Sequence, residues 1–83
     1  MRSVDLSNAN LFGANLVDAN LSNANITSAN LVGANLISAN LRGAEGWTNK
    51  QSAQAESLVG AILPNGTIMG EKAWVEFKKR YQQ

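Results

Sequence analysis

The chain of 83 residues contains no cysteine, no histidine and only one proline. Without cysteine there is no disulfide framework and no thiol nucleophile, and without histidine the commonest general base and metal ligand is missing. Charged residues make up 16% of the chain and its formal net charge is +1, so it has no strong attraction for nucleic acid. No signal-peptide core or run of membrane-spanning length is present. We expect a cytoplasmic protein that is not an enzyme and that has no cofactor, metal, nucleic-acid or membrane partner.

A five-residue pattern fills the first half of the sequence. Large aliphatic residues recur at every fifth position, and each follows an alanine and an asparagine, with Val4 and Asp5 as the departures. These repeat centres are Leu6, Leu11, Leu16, Leu21, Ile26, Leu31, Leu36 and Leu41. A helix or a strand would scatter residues five apart over different faces. A chain that turns once per unit directs every centre and alanine inward, which predicts a repeat solenoid with asparagine at the corners.

The pattern resembles the pentapeptide-repeat family, whose consensus is A-(D/N)-L-x-x, over residues 4–45, and suggests a small bacterial member. The resemblance implies an all-β solenoid, namely a right-handed quadrilateral β-helix in which four units form one coil of 20 residues. About three coils are expected in a single domain over 1–83. The two positions after each centre vary freely in the sequence, yet similar pairs return 20 residues later, as when Val32-Gly33 follows Phe12-Gly13.

The repeat breaks after Glu45, and residues 46–57 are predicted to be a helical insertion. Thr48 and Gln51 have the spacing of a capping box, which predicts a helix over about 49–56. The segment Leu58–Ala61 repeats the letters of Leu31–Ala34 at a spacing of 27. If the two segments share a face, the insertion adds seven residues to one coil.

Closing repeats are expected over residues 58–69, with centres at Leu58, Leu63 and Ile68. This segment resembles the final repeats of many bacterial family members. Residues 70–83 then predict an amphipathic capping helix, and its face carries the aromatic residues Trp74, Phe77 and Tyr81. The basic residues 78–80 between these aromatics are interpreted as the solvated side of that helix.

Two surfaces are candidates for binding a protein. The predicted coils stack apolar residues on two neighbouring outer faces, where they either contact the C-terminal helix or bind a protein partner of unknown identity. This candidate partner-binding face consists of Phe12, Val17, Val32, Ile37 and Val59. We expect a scaffold or protein–protein interaction module. The alternative, suggested by the family, is a DNA mimic that binds gyrase, although residues 1–46 carry few acidic side chains.

The second candidate surface is the N-terminal end of the solenoid. Met1, Arg2 and Ser3 are too few to cover the first coil, so we expect it to stack end to end on a second chain in a homodimer. The candidate end-to-end interface consists of Val4, Leu6, Leu11, Leu16 and Leu21. The alternative is that the natural coding sequence continues upstream with further coils.

Overall fold

The computed structural model describes residues 4–81, which wind into three stacked coils followed by a helix. Parallel bridges join residues 20 positions apart, from Asp5 with Asn25 to Asn25 with Glu45. We therefore define coil 1 as residues 5–24, coil 2 as residues 25–44 and coil 3 as residues 45–69. Each of the first two coils has four turns, and therefore four sides of five residues.

A β-turn follows every repeat centre and sets the five-residue period. The amide of the next alanine donates to the carbonyl of the centre, as Ala9 N does to Leu6 O at 3.0 Å. The second turn residue has a positive φ of 60° to 75° in all eight units, which favours glycine, asparagine and aspartate. This position is therefore restricted, although the sequence pattern leaves it free. The preceding asparagine caps the turn, since Phe12 N donates to Asn10 Oδ1 at 3.1 Å and the other units repeat this bond.

Residues 4–81 contain isolated bridges and no longer strands, which corrects the expected all-β class. Because the chain turns at every fifth residue, only one position on each side forms a bridge with its neighbouring coils. The backbone is still well paired: eight amides of coil 1 donate to coil 2, and three amides of coil 2 donate back, at 2.7–3.0 Å. The fold is thus a solenoid of turns and bridges with two helices.

The core is a column of leucine and alanine side chains inside the coils. In coil 2 the four centres are at most 1% exposed, and the alanines two residues before them are at most 4% exposed. Four large centres per coil occupy most of the interior, so the positions between them accommodate only a methyl group at native packing density. Leu58 of coil 3, which is fully buried, extends the same column.

Helix α1 (Asn49–Gln54) begins at the predicted capping box and ends two residues before the predicted limit. Thr48 is the N-cap, and the Gln51 side chain accepts from its amide at 2.9 Å. The same Gln51 side chain donates from Nε2 to Ile26 O at 2.9 Å and to Ala29 O at 3.2 Å. Gln51 therefore completes the capping box of α1 and also supplies a donor to Ala29 O, the type of carbonyl that bonds to an amide of the next coil in the regular part of the solenoid.

The register after α1 differs from the prediction. Ser57 pairs with Asn35, which is an offset of 22 residues, so coil 3 contains two additional residues and not seven. Leu58–Ala61 consequently lies over Leu36–Ala39, whereas the repeated letters predicted that it would lie over Leu31–Ala34. A helix rises only about 1.5 Å per residue, so α1 replaces a side of the coil instead of bulging from it.

The end of coil 3 folds back on itself as a hairpin. Ile62 and Ile68 form an antiparallel bridge around a turn at residues 64–66, and Leu63 N donates to Thr67 O at 2.7 Å. Ile68 is 63% exposed, so the prediction that it is an inward-facing repeat centre is wrong. The proline, asparagine and glycine of the turn reverse the chain before another regular side can form.

Helix α2 (Glu71–Tyr81) packs on the hairpin end of coil 3 and contacts α1. Trp74 is buried to 7% exposure in the core cluster, and its ring stacks on Phe77 with centroids 6.0 Å apart. Phe77 in turn contacts the Tyr81 ring at 4.4 Å. Residues 82 and 83 of the helix predicted over 70–83 lie outside the described residues.

Replacing Leu36 with alanine should lower the free energy of unfolding by about 2–5 kcal/mol, because the side chain is fully buried in the central coil. Urea unfolding followed by circular dichroism measures the change. The matched control is Ile37→Ala on the exposed neighbour, which should cost about 0.5 kcal/mol. Equal unfolding curves for the two variants would contradict an inward-facing Leu36.

Replacing Gln51 with alanine should cost about 1–3 kcal/mol, because it removes the side-chain bond of the capping box to Thr48 N and leaves the Ala29 carbonyl without its side-chain donor. Gln54→Ala in the same helix serves as the control and should cost about 0.5 kcal/mol or less. Chemical denaturation measures both changes. An equal loss in the two variants would show that Gln51 does not join α1 to coil 2.

Candidate interaction surfaces

A stack of three aliphatic side chains, two of them exposed and one half-buried, follows one corner of the coils. Val17, Ile37 and Val59 occupy the same turn position in successive coils, because Asp18 N donates to Ile37 O and Ser38 N donates to Val59 O, each at 3.0 Å. Their backbones are held by the cross-coil bonds, so the side chains project in a fixed line. The stack is thus a preformed apolar ridge.

A second stack stands on the neighbouring corner. Phe12 and Val32 are aligned by the bond from Gly13 N to Val32 O at 2.8 Å. The corresponding position in coil 3 is taken by Gln54 at the end of α1, so this stack has two members. Val59 was predicted to lie above Val32 and belongs instead to the first stack. The sequence carries no signal for the position of Val59 in the first stack, because this position results from the two-residue offset of coil 3.

The two stacks together are termed the apolar face. Its members are Phe12, Val17, Val32, Ile37 and Val59. Phe12 is 67% exposed, Val17, Val32 and Ile37 are 36–41% exposed, and Val59 is half-buried. Helix α2 packs on the end of coil 3 and leaves these side chains accessible, which answers the question that the sequence left open. Contiguous exposed apolar side chains are typical of a binding surface.

The other two corners of the solenoid are polar. Their first turn residues in coils 1 and 2 are Ser7 with Thr27 and Ser22 with Arg42. In the turns of coils 1 and 2 that carry the apolar face, the charged side chain is that of Asp18, and the other turn residues are uncharged. The solenoid therefore has one largely uncharged apolar face and an opposite polar one.

A cleft of about 380 Å³ lies between coil 3 and α2. Its walls include Trp47, Leu63, Met69 and Phe77, and no acidic or basic side chain lines it. Within residues 4–81 no group of three or more acidic side chains is placed to hold a metal ion. No helix in this described range is long and apolar enough to span a membrane. The cleft offers an apolar wall but no acid–base pair.

One basic residue of α2, Lys78, anchors the helix. The Lys78 ammonium lies 5.0 Å from the centroid of the Trp74 ring and donates to Ala55 O at 3.4 Å. The bond to Ala55 joins α2 to the segment that follows α1, whereas the cation–π contact with Trp74 lies within α2. Lys78 is thus part of the packing of the cap.

The N-terminal end of coil 1 exposes the end of the core column. Its centres are half-buried, whereas the equivalent centres of coil 2 are at most 1% exposed. This surface, termed the open end, consists of Val4, Leu6, Leu11, Leu16 and Leu21. Val4 is 42% exposed, while its equivalents Ala24 and Ala44 are buried. Met1, Arg2 and Ser3, which were predicted to be too few to cover this end, lie outside the described residues.

Asp5 takes the place of asparagine in the first unit. Its Oδ1 accepts from Ser7 Oγ at 2.6 Å and from Ser7 N at 3.0 Å. The hydroxyl bond, and then the amide bond, lower the pKa of the Asp5 carboxyl below its ordinary value because both donate to the charged form. The first turn is therefore strongest when Asp5 is ionised.

The family comparison agrees with this geometry. The family described as pentapeptide repeats matches residues 5–43 in 8 copies, which are the units of coils 1 and 2. The comparisons with curated proteins and with solved structures gave no significant match.

Replacing Ser7 with alanine should raise the pKa of Asp5 toward its ordinary value, because it removes the larger of the two contributions. A lowered pKa in the fold stabilises it above the unfolded-state pKa, and this contribution is lost as the pH falls through the folded-state pKa. NMR titration of the Asp5 carboxyl measures the shift. An unchanged pKa in the Ser7→Ala protein would contradict the assigned cause.

Proposed function

We propose that this chain, which belongs to the pentapeptide-repeat family, is a non-enzymatic scaffold that binds a protein partner through its apolar face. Fold alone does not define a function, so the proposal depends on the surface. The observation that carries it is the exposure of Phe12, Val17, Val32 and Ile37 in a chain whose own capping helix packs elsewhere.

The geometry of the apolar face indicates the chemistry of its partner. The corners that carry Phe12 and Val17 are separated by one side of the coil, whose outward positions in coils 1 to 3 are Asn15, Asn35 and Ser57. A partner would need apolar side chains to contact the two ridges, and hydrogen-bonding groups between them. Phe12 is the largest and most exposed member, so we expect it to be the energetic centre of the interface.

The absence of enzymatic activity is part of the proposal. It is supported by a chain without histidine or cysteine and by a cleft whose lining contains no titratable side chain. We also infer from the family that the coils wind in the right-handed sense and form the quadrilateral β-helix implied by the repeats. The scaffold would then present its ridges parallel to the solenoid axis.

The test is a pull-down with the full chain and the double variant Val17→Asp with Ile37→Asp. The variant should lose the bound partner and keep the circular dichroism spectrum of the parent, because both side chains are exposed. The matched control is Ser22→Asp with Thr27→Asp, which adds the same charges at the same turn position on the polar corners. Equal retention of the partner by both variants would exclude the apolar face.

A supercoiling assay separates the interaction module from the DNA-mimic alternative. We expect the parent chain to leave topoisomerase activity unchanged. Stoichiometric inhibition or protection that weakens in the Asp18→Asn variant would overturn the proposal in favour of gyrase binding.

A further inference from the structure

The two ends of the solenoid are built differently. At the end formed by coil 3, the returning hairpin strand pairs with the last regular side, since Gly60 N donates to Met69 O at 2.6 Å and Met69 N donates to Ala61 O at 2.8 Å. Trp74 of α2 then closes the core. In the described residues nothing comparable lies over coil 1. Among residues 4–81, therefore, the end formed by coil 3 is closed and the end formed by coil 1 is open.

The backbone of the open end has a defined hydrogen-bonding pattern. In coil 2 the bridge residues Asn30 and Asn35 direct both their amide and their carbonyl toward coil 1. The equivalent groups of Asn10 and Asn15 point the same way and have no backbone partner among residues 4–81. Each of these residues thus presents one donor and one acceptor, side by side, at the edge of the coil.

An edge of this kind is complementary to itself. In an antiparallel pair, two facing residues exchange both of their N–H···O=C bonds, so a donor beside an acceptor can bind a second copy of the same edge. The leucines of the open end lie inside this ring of backbone groups. Contact between two open ends would therefore join two half-buried core columns into one continuous core.

We infer that the open end binds the open end of a second copy of this chain, with a two-fold axis between them. Stacking in the same direction is blocked, because the hairpin and Trp74 occupy the end to which the next copy would have to bind. A two-fold contact uses the same surface on both copies, so the assembly stops at two chains. The apolar face plays no part in this contact and remains available in the dimer.

Sedimentation of the full chain at micromolar concentrations tests the inference. The expected mass is about twice the monomer mass of 8.8 kDa, and dilution should shift the chain toward monomer. The Leu16→Asp variant should sediment as a monomer, because it places a charge within the shared core. Val17→Asp, one residue along and on the apolar face, is the matched control and should remain dimeric.

Val4→Asp provides a second variant if Leu16→Asp fails to fold, since Val4 is 42% exposed in the single chain. It should abolish the dimer and retain the parent's unfolding transition. Amide exchange gives a separate readout, since exchange at Asn10 and Asn15 should slow in the dimer. A parent chain that is monomeric throughout, or a dimer that persists in Val4→Asp and dissociates in Val17→Asp, would overturn the inference.

Discussion

The structure depends on hydrogen bonds between residues about 20 positions apart. Each side of a coil is too short to form a regular strand. Its backbone amides and carbonyls therefore form hydrogen bonds with the coils before and after it. This requirement fixes the register, since a shift by one residue would turn the leucines outward and move the positive-φ position away from the corner. The turns, the asparagine caps and the small alanines all serve this register.

Coil 3 shows how the regular stacking of the coils ends. Helix α1 removes one regular side, and the Gln51 side chain donates to Ala29 O, where a backbone donor of a regular coil would have been, and also to Ile26 O. The hairpin and Trp74 then satisfy the remaining edge and cover the core. The chain thus closes this end of its solenoid with its own residues.

The sequence predicted the parts of the fold that repeat. The centres at every fifth residue and the similarity of the Phe12 and Val32 turns indicated the core, the 20-residue coil and most of the apolar face. The offset of coil 3 was not predictable, because the letters of Leu58–Ala61 match Leu31–Ala34 better than the side over which they lie, Leu36–Ala39. Only the length of α1 along its axis decides between them. Ile68 was misassigned for a related reason, since a hairpin preserves apolar spacing while reversing the chain.

The fold therefore depends on a cross-coil register that can be measured directly. Scalar coupling across hydrogen bonds identifies which carbonyl accepts from a given amide. We predict a coupling from the Leu16 amide to the Asn35 carbonyl, which are 2.8 Å apart and lie in adjacent coils. A coupling from the Leu16 amide to the carbonyl of Phe12, as in a helix, would contradict the solenoid.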